Sequence, residues 1–389
     1  MVACALDQVN WLGQYEFVTL ATRWVGLECC RTVFLEVIVP PFRIELRSDT
    51  QTLPTADMRA AMAEAEVGDD QAREDPTVRR LEDMAAEIFR KEAAIVVSSG
   101  TMGNLVSMLT LVERGDSVVV DPVSHVSLAE AGGFASLAGC SLIPVETEGV
   151  LTADAVRPLL EPVTTHSLKP GIIWAENTHN RRGGVAWGPD VLAGLVDLAQ
   201  EHDLRLHIDG ARIFNAATAM GVPVSELARG TDTVQFCLSK GLGAPFGSIV
   251  VGDEDVITEA RRTRQLVGGG MRQAGVMAAA GLLALRDGPA RLGDDHRRAR
   301  LLGDVIEDLP GLRLISPVQT NLIFVAWDAS QIDIARWVEL AAEQGVGVGE
   351  PRGDMLRLVT HHQVTDDDLS EVTDVLATAA DAAAIPVHR

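Results

Sequence analysis

The chain has 389 residues, 47% of them hydrophobic and 23% charged, with a formal net charge of -22. That length exceeds one small core and fits a large domain with a smaller one, and the acidic balance argues against nucleic acid or an anionic membrane as partner. The five cysteines are an odd number without C-x-x-C spacing, so neither a disulfide framework nor a metal site is expected, and a reducing cytoplasm is the simplest home.

Residues 1–43 hold the only tyrosine, Tyr15, three of the five cysteines and two of the six tryptophans, with no sustained period of 2 or 3.6. Asp7 and Gln8 precede a mixed stretch, unlike a signal peptide. No run of about 18 uncharged apolar residues occurs, so no membrane-spanning helix is expected. The segment reads as an N-terminal extension outside the main fold, disordered in part.

From Ile44 the pattern tightens. A short strand ends at Ser48 to Thr50, and Thr55 caps a helix that stops at Gly68. A polar loop over 69–77 leads to a helix from about Val78 to Phe89, with Leu81, Met84, Ala85 and Ile88 on one face. The strand Ala94 to Val97 runs into Ser98-Ser99-Gly100-Thr101-Met102-Gly103-Asn104 and then an apolar helix from Leu105 to Val112. Backbone N–H groups and a hydroxyl at a helix start suit a phosphate, although the same letters also serve a plain turn between strand and helix.

The alternation continues. The strand Ser117 to Val120 delivers His125, Cys140 to Pro144 is another strand, and Gly171 to Ala175 delivers Glu176. A helix from Asp190 to Glu201 precedes Leu204 to Ile208, which delivers Asp209. Apolar runs separated by helices predict a largely parallel sheet covered on both faces, in which ligands sit at the carboxyl ends of strands. Gly100, His125, Glu176 and Asp209 all fall there. From about Pro289 the text changes to short strands and helices, so the expected domains are 44–288, large and cofactor-binding, and 289–389, a smaller C-terminal α+β domain.

Within Thr233 to Gly247 the run Val234, Phe236, Leu238 alternates with Gln235, Cys237, Ser239 and ends at Lys240, after which Gly241, Gly243 and Gly247 free the backbone. Lys240 has two readings: a surface lysine in a turn, or a partly desolvated amine that forms a Schiff base with pyridoxal phosphate. With the second, Asp209 would pair with the pyridine nitrogen, His125 would lie over the ring, and the Ser99 to Met102 turn, with Gly100 and Thr101, would hold the phosphate.

Seven blocks carry a resemblance: R-S-D-T at 47–50, E-D-P-T at 74–77, S-G-T-M-G-N at 99–104, E-N-T-H-N at 176–180, H-I-D-G-A-R-I-F-N-A at 207–216, C-L-S-K-G-L-G-A-P at 237–245 and G-G-G-M-R-Q-A-G at 268–275. In order and length they resemble the low-specificity L-threonine aldolases, which are pyridoxal 5'-phosphate enzymes of the aspartate aminotransferase fold. The resemblance implies an α/β architecture, fold type I, with a mostly parallel seven-stranded sheet. It also implies cleavage of L-threonine, L-allo-threonine or a related β-hydroxy-α-amino acid to glycine and an aldehyde.

By the same resemblance Lys240 is the Schiff-base lysine, Asp209 the pyridine partner and His125 the stacking imidazole. Ser239 joins the cofactor contacts, as does Arg212. Ser48, Arg212 and Arg357 bind the substrate carboxylate, the arginines by paired charged hydrogen bonds. Arg272 reaches the cofactor phosphate of a neighbouring subunit, which implies a homodimer or homotetramer with shared sites. His166 lies near the substrate hydroxyl. The base is left open between His125, His166 and a water held by them, and for both histidines a core or surface imidazole is the plain alternative.

The chain departs from the family at Ala72, where the loop tyrosine stands, at Arg73, where a glycine stands, at Gln265, usually lysine, and at Leu53, usually arginine. Arg73 suits either a second carboxylate on the substrate or a surface pair with Glu74 or Asp70. A β-eliminating lyase or decarboxylase on the same scaffold, or a decayed cofactor-binding homologue, are the competing functions.

Overall fold

The structure is a computed structural model that describes residues 42–160 and 164–386, together with two paired backbone segments, Phe17–Leu20 and Val33–Glu36. The expectation of a partly disordered extension otherwise lies outside the described residues. Among these, no helix is long and apolar enough to cross a membrane.

Seven strands form the main sheet in the spatial order Ala93–Val97, Ser248–Gly252, Thr233–Cys237, Arg205–Asp209, Lys169–Glu176, Asp116–Val120, Ser141–Pro144. All neighbours are parallel except Ser248–Gly252, which runs against both strands beside it. Period-2 alternation sorts their side chains. Val119, Ile173, Leu206, Ile208, Val234 and Phe236 enter the larger core, whereas Val118, Val120, Ile172 and Trp174 pack on the opposite face against Met108. In the larger core Phe89 stacks on Phe236 with ring centroids 4.8 Å apart and meets Phe214 edge-on at 5.6 Å.

Local signals explain several element starts. Asp75 caps the helix Pro76–Phe89 by accepting from the N–H groups of Thr77 and Val78, and it also takes those of Gly68 and Gly275. The helix expected from Leu105 begins five residues sooner and spans Gly100–Leu111, because Ser99 Oγ accepts from Met102 N and closes the first turn. What read as a loop is therefore helix N-terminus.

The second core lies under a three-stranded antiparallel sheet, Leu312–Leu314, Leu322–Trp327 and Leu356–Val359, and the helices Ile334–Glu343 and Asp366–Ala383. Ile44 and Leu46, grouped with the large domain in the sequence reading, are buried in this core, and Ile44–Glu45 pairs with Val346–Gly347. Residue 289, the expected domain edge, falls inside one continuous helix, Gly275–Glu307. The helix puts Ala278, Ala280 and Ala284 into the first core and Ala299, Leu302 and Ile306 into the second, so apolar contact at both ends outweighs the hydrogen bond that Pro289 removes.

Candidate active site

Asp209 ends its strand on the face away from Ile208, and so points toward the helix Gly100–Leu111 rather than into the larger core. Its buried carboxylate accepts from Ala211 N at 3.2 Å and from Asn104 Nδ2 at 2.8 Å. Asn104 Oδ1 lies 3.3 Å from His207 Nε2, and His207 Nδ1 lies 2.7 Å from Thr233 Oγ1. Burial pushes His207 down to about 3, so the ring is neutral. Because the Asn104 amide nitrogen faces carboxylates, its oxygen accepts; His207 therefore carries its proton on Nε2.

His125 follows the strand Asp116–Val120 and is anchored through its backbone N–H, which donates to Glu176 Oε2 at 2.7 Å. Its Nδ1 lies 2.7 Å from Glu130 Oε1, and the same oxygen accepts from Asn104 Nδ2 at 2.7 Å. The hydrogen bond to Glu130 raises the imidazole against the opposing effect of burial, with Asp209 adding to the rise. Burial raises Glu130 as well, so the pair holds a proton to higher pH than a free imidazole would. His125, Glu130 and Asp209 bring their polar atoms within 4.8 Å of one another, with the Asn104 amide bonded to both carboxylates.

Lys240 lies three residues beyond the strand Thr233–Cys237, in a tight turn closed by Gly243 N to Lys240 O at 2.8 Å, with Gly243 at φ +85°. The amine is half-buried, beside Asp49 and His125, and makes no hydrogen bond or ion pair among the described residues. Ser239 precedes it, also half-buried. Gly100 stands nearby at the start of its helix: a Cβ there would lie 2.9 Å from Cys237 Sγ and 3.4 Å from Gln235 Nε2. Only glycine brings this helix N-terminus so close to the strand end.

Two arginines differ sharply. Arg212 is paired, donating through Nε and Nη2 to the buried carboxylate of Asp49 at 2.7 and 2.6 Å. Burial alone would raise Asp49, but Arg212 holds it well below the usual carboxylate range. Asn321 Nδ2 adds a third donor at 3.3 Å. Arg357 instead meets only neutral oxygens, Asn180 Oδ1 at 2.8 Å and the Arg47 carbonyl at 3.3 Å. Burial, then the charge of Arg212, lowers Arg357 to about 10. It is a half-buried cation with no carboxylate of its own among the described residues. Ser48 Oγ accepts from Thr50 N at 3.2 Å.

Other expected residues stand apart in the single chain. His166 is exposed on the loop 164–167 and bonds only to Thr164. Thr101 is exposed at the helix start, and Arg272 is exposed and paired with Asp69 at 2.7 Å. The departing loop forms a short turn, Asp70–Ala72, with Arg73 in the left-handed region at φ +60°. Among the described residues the Arg73 guanidinium makes no ion pair with Glu74 or Asp70; the Asp70 carboxylate is taken by Arg264 at 2.7 Å, and Gln71 bonds Gln265 at 3.0 Å. Sequence reasoning passed over Glu130 and gave Asn104 and Asp49 no roles. The signals were present: an acid five residues after His125 ahead of two glycines, and the polar ends of two recognised blocks.

The model of the beta-eliminating lyase family matches residues 45–330. The chain belongs to that family. Its members among curated proteins include low-specificity L-threonine aldolase 1 of Arabidopsis thaliana, 39% identical over 333 residues that cover 84% of this chain and 93% of that one. The low specificity L-threonine aldolase of Escherichia coli K12 is 40% identical over 331 residues, 85% of this chain and 97% of the relative. Among solved structures, Leishmania major threonine aldolase superposes with a TM-score of 0.75 at 20% identity, over 87% of this chain and 99% of that one, and shares the fold. As a beta-eliminating lyase family member the chain is a pyridoxal phosphate-dependent lyase of fold type I. The residues present fit the cofactor: an amine without a partner among the described residues, a fixed carboxylate, an imidazole beside it, and a helix N-terminus opened by a glycine where a Cβ would press on Cys237 Sγ.

Proposed function

We propose that the chain cleaves L-threonine, L-allo-threonine and related β-hydroxy-α-amino acids to glycine and an aldehyde by retro-aldol scission of the Cα–Cβ bond. Lys240 would hold the cofactor aldehyde, Asp209 its pyridine nitrogen, and the N–H groups at Gly100 and Thr101, with Ser239, its phosphate. When bound, pyridoxal phosphate supplies the sink for the electron pair that the broken bond leaves at Cα. Arg357, with Ser48, binds the substrate carboxylate and so sets which bond at Cα stands ready to break. Arg212 serves by holding Asp49 and turning its remaining Nη1 toward the same anion. His125 Nε2 takes the β-hydroxyl proton as the aldehyde departs, and Cα is then protonated to give glycine.

The observation that carries this reading is Arg357, a half-buried guanidinium that bonds only neutral oxygens among the described residues and, like Lys240, acts on Asp49. A carboxylate placed there gains charge-assisted bonds that nothing in the protein already supplies. Arg272, exposed next to the loop 69–73, fits a homodimer or homotetramer in which it reaches a neighbour's phosphate, and His166 is offered to the same neighbouring site. Cytoplasmic residence accords with an enzyme of amino acid metabolism. The division into a cofactor-binding large domain and a small C-terminal domain is kept in this proposal, with the helix Gly275–Glu307 shared between them.

Incubating the holoenzyme with L-threonine and L-allo-threonine and analysing products by mass spectrometry tests it. Glycine and acetaldehyde in equal amounts are expected. Ammonia with 2-oxobutanoate, or carbon dioxide, would replace the aldolase by an eliminating lyase or a decarboxylase.

A further inference from the structure

We propose that Glu130 is a positioning residue for His125: it accepts the hydrogen bond from Nδ1–H, fixes the rotation of the ring, and leaves Nε2 as the nitrogen offered to the substrate hydroxyl. The inference rests on the reading of His125 as the group that takes the hydroxyl proton. It starts from one oxygen with two donors. Glu130 Oε1 meets His125 Nδ1 at 2.7 Å and Asn104 Nδ2 at 2.7 Å, and the same amide nitrogen holds Asp209 at 2.8 Å. Swinging Glu130 away would break both bonds and leave a buried carboxylate unpaired.

Among the described residues the Glu130 carboxylate accepts from no donor other than Asn104 and His125. A cavity of about 300 Å³ opens against it with walls that include Leu105, Met108, Val126 and Phe134. The next residue, Ala131, sits at φ +54°, a conformation that an L-residue rarely adopts, so contacts rather than local preference hold this turn. At the ring's other end the backbone N–H of His125 is fixed by Glu176 at 2.7 Å. An imidazole tied at its backbone and at Nδ1 has one free nitrogen. A base held by a third group in this way is the arrangement that makes a weak base effective.

Charged groups around the ring come from every element packed on it. Glu130 lies on its own segment, Glu176 and Asp209 end the two adjoining strands, and Lys240 stands on the glycine turn. The Glu130 bond and Asp209 favour the protonated ring and Lys240 opposes it. The ring must shed that proton before Nε2 can accept one, so Glu130 moves the acid limb of turnover to higher pH.

Two measurements on the holoenzyme test the assignment. Imidazole ¹⁵N spectra of wild type, with His125 identified through His125→Phe, should show the neutral ring protonated on Nδ1. A neutral ring protonated on Nε2 overturns the proposal without any variant having to fold. Glu130→Gln, which keeps the shape and removes the charge, should move both the His125 midpoint and the acid limb of kcat/KM to lower pH. It should lower the plateau kcat about tenfold or more, with KM and thermal midpoint nearly unchanged, and Glu130→Asp should recover part of the limb. Unmoved limb and midpoint, or equal loss of kcat and thermal stability in both variants, would show that Glu130 serves the fold alone. Because the spectra read the ring directly, they stand even where no glycine is formed, which separates failure of this inference from failure of the aldolase reading.

Discussion

Arg212 and Arg357 carry the same charge a short distance apart, yet they do different work because only one has a carboxylate. Arg212 and Asp49 are both almost fully buried, so removing either leaves an uncompensated charge in the interior. Arg212→Ala should therefore cost about 3–5 kcal/mol of folding free energy, read as a lowered denaturant midpoint. Arg357→Ala should leave that midpoint nearly in place and lower kcat/KM for threonine about 10-fold to 150-fold, since a charged hydrogen bond is worth about 1.5–3 kcal/mol. An unchanged kcat/KM in the Arg357 variant would remove it from substrate binding. Lys240→Ala should abolish turnover while retaining the far-ultraviolet spectrum, because its amine has no structural partner to lose among the described residues.

At the scale of elements, the helix Gly100–Leu111 and the strand Thr233–Cys237 approach so closely at Gly100 that one methyl decides the fit. Gly100→Ala should destabilise by about 1–3 kcal/mol and weaken cofactor retention, and Cys237→Ala in the same chain should restore much of the loss, measured as a double-mutant cycle. The long helix Gly275–Glu307 carries a second testable feature in Asp295, whose carboxyl is raised by burial to about 7 despite Arg298 and Arg291. Its folded value stands above the unfolded value of 3.8, so the stability it contributes is full below about pH 4 and lost as pH climbs through about 7. Asp295→Asn should thus match wild type in acid and exceed it at pH 8 by on the order of 2–4 kcal/mol. A gain that does not change with pH would show that Asp295 is ionised throughout.

At the scale of the whole molecule, the two cores are tied by the shared helix, and the segment from Ile44 to Leu46 joins the second of them. Ile44 and Leu46 are buried in the second core and pair with Val346–Gly347, far along the chain. A chain that starts at Phe42 should keep the stability of the second core. One that starts at Ser48 should lose roughly 2–5 kcal/mol for each apolar side chain withdrawn, seen as earlier loss of the Trp337 fluorescence signal on titration with denaturant. Equal behaviour of the two truncations would mean that the pairing contributes nothing.

The sequence alone determined what depends on neighbours along the chain. Alternation of period 2 identified strands such as Thr233 to Leu238, and polar residues at the strand ends announced Asp209, His125 and Lys240, which the fold gathers at one end of the sheet. Seven blocks in order were enough to name the family. The helix expected from Leu105 starts at Gly100 because a cap bond from Ser99 overrides the local turn signal, and Pro289, the expected domain edge, lies inside a 33-residue helix packed at both ends. The placement of Ile44 and Leu46 in the second core, the capture of Arg212 by Asp49, and the Asn104 amide shared between Glu130 and Asp209 were decided only in three dimensions. Each joins residues far apart in the chain, and burial there makes the choice of partner matter far more than residue type: a buried charge must find its counterpart, and which cation stays free for a substrate depends on which one the protein has already neutralised.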